Sequence, residues 1–311
     1  MTTCSVVIRA LNEEKYIGRL LAGLSEQQVK ADEIILVDSG STDATVSIAQ
    51  HYGCRIVHIK KEEFSFGRAL NIGCDAATSD VLIFMSAHVY PVYDTYIEHI
   101  VRPFQDPTVA VTYGRHLGDE RTKFSEARLM LKWFPQESVA DQGHGFSNNG
   151  NCAVRRSRWQ ETPYDETLTG LEDLDFGNKA VRSGLKVAYV AEAAVVHVHE
   201  ESWARTRNRY RREAIAYERI MGKQRMGAVE AVGLAVGNIV SDYFHAALEG
   251  KLLGNLASIP AFRTAQFLGA WEGYRSRSVS AELKQRFYYP HELARPKVVA
   301  PEPGRKIEYN D

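Results

Sequence analysis

Up to about residue 115 the chain alternates short β-branched runs with segments of helical period, and this alternation leaves few folds open to it. The runs fall at 5–8, 33–37, 55–59, 81–85 and 109–112. After the first, Asn12 is placed to cap a helix whose Glu13 and Glu14 suit its positive end and whose Ile17, Leu20, Leu21 and Leu24 form one apolar stripe. A helix over 93–104 repeats the design with Ile97, Ile100, Val101 and Phe104. The pattern predicts an α/β fold, a mostly parallel sheet flanked by helices.

From 120 to 170 the pattern gives way to polar, glycine-rich sequence, including GHGFSNNGN, which predicts loops able to line a pocket. A helix is expected over 173–183, a strand over 186–190, and an arginine-dense helix over 203–225. Further helices punctuated by glycines and Pro260 follow over 227–274, and four of the ten prolines crowd between 290 and 303. The expected division is a catalytic domain over 1–220, a C-terminal helical extension over 221–290 and an extended tail over 291–311. With 44% hydrophobic and 25% charged residues in 311, the chain has material for a sizeable core.

A net charge of -1 gives no global reason to expect nucleic-acid binding. Cys4, Cys54, Cys74 and Cys152 form no C-x-x-C pair, which predicts reduced thiols of the cytoplasm. The first sixteen residues lack the marks of a secretory signal. The longest nearly uncharged apolar stretch, 231–240, falls short of the ~20 residues a membrane-spanning helix needs, so no span is expected.

Ligands of open parallel sheets bind beyond the carboxyl ends of the strands. Three such ends are polar: Arg9 to Asn12, Asp38 to Asp43, and Ser86 to His88. Asp38 is suited to accept hydrogen bonds from a ligand while Ser41 or Thr42 caps the next helix; a capped turn without a ligand explains the same residues. No G-x-G-x-x-G follows the first strand and no G-x-x-x-x-G-K-[ST] exists anywhere, which removes dinucleotide and P-loop sites. Phosphates must then be held by side-chain cations, a metal or loop amides.

Four ordered blocks, SVVIRALNEEKYIGRLL, EIILVDSGSTDAT, FGRALNIGCDAATSDVLIFMSAHVYP and GLEDLDFGNKAVRSGLKVAYVAEAAVVHVH, together resemble the family 2 glycosyltransferases, enzymes of GT-A fold that invert the anomeric centre of a nucleotide-activated sugar. The SAHVYP variant with Arg-Ala-Leu-Asn upstream resembles bacterial members described as rhamnosyltransferase-like. The resemblance implies that Arg9, Asn12, Glu13, Asp38, Arg68, Asn71 and Ser86 face the nucleotide, Asp38 reading the base. It also implies that Asp173 is the base that deprotonates the acceptor hydroxyl, with Glu172 binding acceptor hydroxyls. On the residues alone, two acids at a helix start are also explained by the helix dipole.

The departure is Ser86-Ala87-His88, where the family usually has an Asp-x-Asp whose last acid binds a divalent metal, Mn²⁺ or Mg²⁺. His88 can ligate a transition ion or, protonated, balance leaving-group charge itself. His197 matches a family histidine that completes the metal site, and His199 follows it on the same side of a strand; a strand-end histidine bonded to backbone is the alternative.

Seven arginines lie between 205 and 225 beside only Glu213 and Glu218. They fit a diphosphate clamp, a phosphate-bearing lipid acceptor, an anionic membrane surface or a plain solvated face. The aromatic segment 239–274 fits a membrane-facing, lid or homo-oligomer surface.

The expectation is therefore an inverting transferase that moves a sugar from a UDP- or dTDP-type donor to a hydroxyl of a glycan or lipid-linked acceptor in cell-surface polysaccharide synthesis. It is expected in the cytoplasm, in peripheral contact with the membrane. Its rivals are a sugar nucleotidyltransferase, whose glycine-rich G-x-G-[TS]-R loop is missing here, and a degenerate nucleotide- or glycan-binding scaffold.

Overall fold

The computed structural model describes residues 2–60, 63–222, 225–275 and 304–309. Its first half is the alternation read from the sequence: β1 (Cys4–Ala10), α1 (Glu14–Ser25), β2 (Glu33–Asp38), α2 (Thr45–His51), β3 (Arg55–His58), α3 (Phe66–Ala76) and β4 (Val81–Ser86). Then come β5 (Val89–Pro91), α4 (Tyr96–Val101), β6 (Val109–Leu117), α5 (Phe124–Trp133), β7 (Asn151–Arg155), α6 (Arg156–Glu161), α7 (Glu172–Arg182) and β8 (Lys186–His197). The helices α8 (Trp203–Met221), α9 (Ala228–Leu248), α10 (Leu252–Asn255) and α11 (Ser258–Gly273) close the described chain, apart from 304–309.

The strands form one mixed sheet in the order β3-β2-β1-β4-β7-β6-β8-β5. Pairings β1–β2, β1–β4, β2–β3 and β6–β8 are parallel; β7 runs antiparallel to both β4 and β6, and β5 antiparallel to β8. Strand side chains alternate between the two faces. Val6 and Ile8 of β1 meet Ile17, Leu20 and Leu21 of α1 on one, while Val7 meets Leu70 and Cys74 of α3 on the other. Burial on both faces explains why these runs are continuous apolar rather than alternating.

Several expectations are corrected. The segment 120–170 is not all loop: α5 buries Phe124, Leu129 and Met130, and β7 is a central strand whose Cys152, Ala153 and Val154 are completely covered. The helix expected over 93–104 divides into α4 and a 3-10 turn over Arg102–Gln105, with Pro103 unable to donate to a continuing helix. The last core strand runs on to His197 because β5 and β6 extend its pairing. Asn12 does not cap α1. It adopts a left-handed conformation at φ 55°, and the α1 entrance is held from the neighbouring loop: Asp43 accepts from the Glu14 amide and Thr45 Oγ1 from that of Glu13. Neither Ser41 nor Thr42 caps α2, whose Thr45 amide donates to Asp43. Helix α8 stops at Met221, four residues short of Arg225, where Gly222 takes φ 88°.

All four cysteines are free and buried. The expected tail 291–311 and the end of the expected extension fall outside the described residues except for 304–309, which lie along 92–95: the Ile307 amide donates to Val92 O and the Asp94 amide to Arg305 O.

Helices α8 and α11 approach closely because Gly269 and Gly273 stand against backbone; a Cβ at Gly269 would come within 2.1 Å of Arg207 O. Their cluster, with Tyr217, Leu234 and Phe267, includes Leu174 of α7, so the C-terminal helices brace the helix that carries the acidic pair. Helix α9 has 21 residues and is long and apolar enough by length and composition to cross a membrane. At its C-terminal end the sequence reading stopped short of a charge that the fold hides. Asp242, 1% exposed, receives two bonds from Arg263, 0% exposed, at 2.7 and 3.1 Å. The other side of α9 is bare: Val229, Val232, Val236, Val240, Phe244 and Leu248 are all more than half exposed.

A buried pair that loses one partner leaves an uncompensated charge. Asp242→Ala is expected to cost about 3–5 kcal/mol in urea-induced unfolding, and the double replacement Asp242→Leu with Arg263→Met to recover most of it.

Candidate active site

In the sheet order the chain turns back between β1 and β4, and there the two parallel strands end side by side, with Arg9 in register with Ser86. Beyond them opens a cleft of about 760 Å³. Arg9, Leu11, Asn12 and Glu13 come to it from β1, Ser86 and His88 from β4, and Glu172 and Asp173 from the start of α7. Asn148 to Gly150 enter it because β7 is antiparallel and so begins where β4 ends. His197 and His199 arrive from the end of β8, and Arg205, Arg209 and Arg212 from α8.

The two non-glycine residues in left-handed conformation among the described residues, Asn12 and Leu171, both stand in this wall. Asn12 tolerates it and uses its Oδ1 to accept from the Thr42 amide at 2.8 Å. Leu171 at φ 56° is a genuine outlier that turns the chain sharply into Glu172.

The acidic pair is held asymmetrically. Glu172 is buried, with Oε1 3.3 Å from Arg9 Nη1, and Arg9 in turn lies over the Phe66 ring. Among the described residues no cation pairs with Asp173. Its oxygens accept from the amides of Asn149 at 3.0 Å and Leu174 at 2.8 Å. Burial, and next the negative charge of Glu172, push its carboxyl well above the usual carboxylate range, more than those amides and Arg9 pull it down. A proton-accepting carboxylate tuned toward neutrality is what general-base work requires.

Asp173 also lines a second cavity, of about 390 Å³, whose walls are largely aromatic and aliphatic: Trp133, Phe134, Phe146, Tyr210 and Tyr217 with Leu129. His197, His199, Arg209 and Glu213 border both spaces, so the polar cleft and the aromatic cavity meet at these residues and Asp173. The loop carrying Asn149 is locked to α7, since a Cβ at Gly177 would lie 2.1 Å from Gly145 O and one at Gly145 2.2 Å from the Asn178 amide.

Four histidines cluster at the junction. His88 Nδ1 lies 3.0 Å from Glu13 Oε1, His199 Nδ1 2.7 Å from Glu126 Oε1, and the Nδ1 atoms of His116 and His197 are 2.8 Å apart. Burial holds His116, His197 and His199 below their ordinary pKa, His116 at about 3, so these rings are neutral at pH 7. One nitrogen from each of His88, His197 and His199 falls within 4.8 Å of the others, a spacing that could hold a metal ion.

Three expected nucleotide contacts are absent from the cleft wall. Asp38 is 2% exposed and spends its carboxylate on the amides of Gly40 and Ser41 and on His58. Burial would raise its pKa, but those hydrogen bonds bring it below the usual value. Arg68 pairs with Glu63 and Glu166 at the surface. Asn71 is buried, its Oδ1 accepting from Trp159 Nε1 and the Tyr164 amide and its Nδ2 donating to Tyr164 O and Glu166.

Sequence reasoning passed over His116, Glu126, Arg209 as an individual, Glu213 and Asn149. Helical spacing was the available signal for the arginines: 205, 209 and 212 lie at i, i+4, i+7, hence on one face. Of the other arginines of α8, Arg207 turns to Glu272 and Arg219 to Thr167, and Arg211 is exposed.

The model of the Glycosyl transferase family 2 matches residues 5–161 of the 311. The chain belongs to that family. Among curated relatives of this family 2 member, the O-antigen chain rhamnosyltransferase RfbN of Salmonella typhimurium is 27% identical over 207 residues, 63% of this chain and 66% of that protein. The O-antigen chain rhamnosyltransferase WbaN of Salmonella anatum is 27% identical over 56% of this chain and 59% of its own. The chain thus spans about three-fifths to two-thirds of the length of these relatives. A mannosyltransferase from Pyrobaculum calidifontis, solved with GDP-Man and Mn²⁺, shares the fold with a TM-score of 0.60, 17% identity and coverage of 87% of this chain and 85% of that one. TarS of Staphylococcus aureus does so with a TM-score of 0.52, 15% identity and coverage of 85% and 55%. The mixed sheet of this family 2 protein is accordingly a GT-A sheet with helices added at its C-terminal end.

Neutralising Glu172 removes the second of the two causes that raise Asp173. In Glu172→Gln, a carboxyl-carbon NMR titration is expected to show the Asp173 pKa falling part of the way toward the ordinary value of about 3.9, because burial remains.

Proposed function

We propose that this family 2 protein is an inverting glycosyltransferase that moves a deoxyhexose of rhamnose type from a nucleoside-diphosphate donor, UDP or dTDP in class, to a hydroxyl of a growing cell-surface polysaccharide, either a free glycan or a lipid-linked chain. The observation that carries this reading is the place of Asp173, on the wall common to the polar cleft and the aromatic cavity. The donor occupies the cleft, its nucleotide near Arg9, Asn12, Glu13 and Ser86 and its diphosphate facing Arg205, Arg209 and Arg212. The acceptor enters through the aromatic cavity, whose flat rings suit the apolar faces of sugars. The rhamnose assignment follows the names of the two Salmonella relatives.

Asp173 takes the proton of the acceptor hydroxyl as that oxygen attacks the anomeric carbon from the face opposite the diphosphate. Glu172, tied to Arg9, keeps Asp173 basic and binds acceptor hydroxyls. The arginines of α8 meet the negative charge that grows on the leaving diphosphate. A divalent ion at His88 and its neighbours would neutralise part of that charge when bound. Asp38, Arg68 and Asn71 hold the surrounding loops, and a role for Asp38 in reading the base requires the 39–43 turn to open.

The acceptor side meets a membrane. Every exposed residue of α9 is apolar or glycine over about 30 Å of helix, with Arg225 before it and Lys251 after it to reach anionic headgroups. A cytoplasmic enzyme lying on the membrane face would meet a lipid-linked chain there.

Asp173→Asn is expected to lower transfer from dTDP-rhamnose at least ~10²–10⁴-fold while donor binding by calorimetry stays within a few-fold of wild type; undiminished transfer would remove the base. If dTDP-rhamnose and UDP-rhamnose neither bind nor turn over, the donor assignment falls. In flotation with vesicles containing anionic phospholipid, the full chain is expected to float and the Val236→Asp, Phe244→Asp double variant to stay in solution. Concentration-dependent dimers with no flotation would assign α9 to a second copy instead.

A further inference from the structure

The ion that would sit beneath the diphosphate is, in the usual family pattern, held by the last acid of Asp-x-Asp. This chain offers no carboxylate at that position, and its histidines are prepared in a particular way. A carboxylate can only accept, so the Nδ1 of His88, 3.0 Å from Glu13, and the Nδ1 of His199, 2.7 Å from Glu126, must each carry the proton. In a neutral ring that leaves Nε2 with a free lone pair.

His197 is the third case. Its Nδ1 faces the Nδ1 of His116 at 2.8 Å, and its Nε2 is buried without any hydrogen-bond partner. If His197 donates through Nδ1, its Nε2 is a lone pair that only a ligand can satisfy. If His116 donates, the N–H is stranded at His197 Nε2 instead; in the first case it is stranded at His116 Nε2, which likewise has no partner, so without a ligand either tautomer leaves one buried donor and one buried lone pair unsatisfied. A cation at Nε2 selects the first tautomer and removes one orphaned atom.

We infer that His88, His197 and His199 form a three-nitrogen metal site, each ring oriented through its Nδ1 by Glu13, His116 and Glu126 respectively, which takes a first-row transition ion of the Zn²⁺ or Co²⁺ class and rejects Mg²⁺. The inference rests on the donor cleft proposed above and deepens it. Ligating histidines characteristically donate their other nitrogen to a carboxylate or a similar acceptor, which His88 and His199 do and which His197 does in the tautomer that a cation at its Nε2 selects. Three atoms within 4.8 Å of one another leave a point about 2.8 Å or less from each, so ligation at about 2.0–2.1 Å asks less than ~1 Å of side-chain adjustment. Imidazole suits Zn²⁺, Co²⁺ and their neighbours, whereas Mg²⁺ requires oxygen ligands, and the three groups that converge here are all imidazoles, with Glu13 and Glu126 each turning Oε1 to a ring nitrogen. Glu126 is fixed further by Arg209, whose Nη2 donates to the same Oε1 at 2.7 Å.

The test needs neither donor nor turnover. The full chain, stripped with chelator, is titrated with CoCl₂ and followed by the visible d–d absorption of cobalt, with ZnCl₂ and MgCl₂ as competitors. One equivalent of Co²⁺ is expected, displaced by equimolar Zn²⁺ and resistant to a roughly thousandfold excess of Mg²⁺. His199→Ala is expected to lose at least tenfold in cobalt affinity, and Glu126→Gln about 10–100-fold with the band retained. His88→Asp, which returns an oxygen ligand, should make Mg²⁺ an effective competitor. Displacement of Co²⁺ from wild type by Mg²⁺ at similar concentration, or failure of Co²⁺ to bind, overturns the site, and this comparison depends on no variant folding. Donor binding measured in chelator separates the outcomes: a protein that binds dTDP-rhamnose but not cobalt loses this site and keeps its proposed function.

Discussion

The parallel pairing of β1 with β4 is the constraint on which the remaining architecture depends. It places two strand ends side by side, with α1 leaving β1 along one face and α3 entering β4 along the other, and the cleft opens beyond those ends. Reversing β7 brings Asn149 to the same edge, and keeping β8 parallel to β6 brings His197 there. Residues as distant as 9, 88, 149, 173 and 197 meet because strand direction, not sequence proximity, decides which loops share an edge.

Much of this was legible because physics at the strand level is local. Runs such as Val6-Val7-Ile8 and Val81 to Met85 are buried on both faces and announce themselves. Strand β5 has three residues and no pattern to read. Strand β7 begins at the last asparagine of GHGFSNNGN, whose glycines and asparagines mask a buried Cys-Ala-Val. In the site, the residues at strand and helix ends came together around the cleft: Arg9, Asn12, Glu13, Ser86, His88, Glu172, Asp173 and His197. Asp38 and Asn71 did not, because their polar atoms are consumed by partners at 40–41, 58, 159, 164 and 166, and Arg68 did not, because it is directed to Glu63 and Glu166 at the surface. No spacing rule reveals such partners before the chain is folded. Glu126 escaped for a related reason: it sits on α5, in a stretch whose composition spelled loop, and its relation to His199 exists only in three dimensions.

The electrostatics of the junction follow a simple division. Arginines of α8 on the cleft side bring positive charge to it, while the arginine contacts to the acids, Arg9 on Glu172 and Arg209 on Glu126, stop short of Asp173 itself. A carboxylate beside a guanidinium would be a poor proton acceptor; one beside another carboxylate is a better one. The helices at the C-terminal end contribute by packing Leu174 against Tyr217 and Phe267, which fixes α7 and with it the acid.

The mutual contact of Gly145 and Gly177 has a consequence for how such a protein can diversify. With backbone lying on backbone, the 144–149 segment and α7 translate together or not at all, so no hinge separates the wall of the aromatic cavity from the acid at its mouth. A descendant of this chain that accommodates a bulkier partner must therefore carve space by trimming rings such as Trp133 or Phe146. Sliding the segment outward would drag the Asn149 amide off Asp173 and detune the very group it serves.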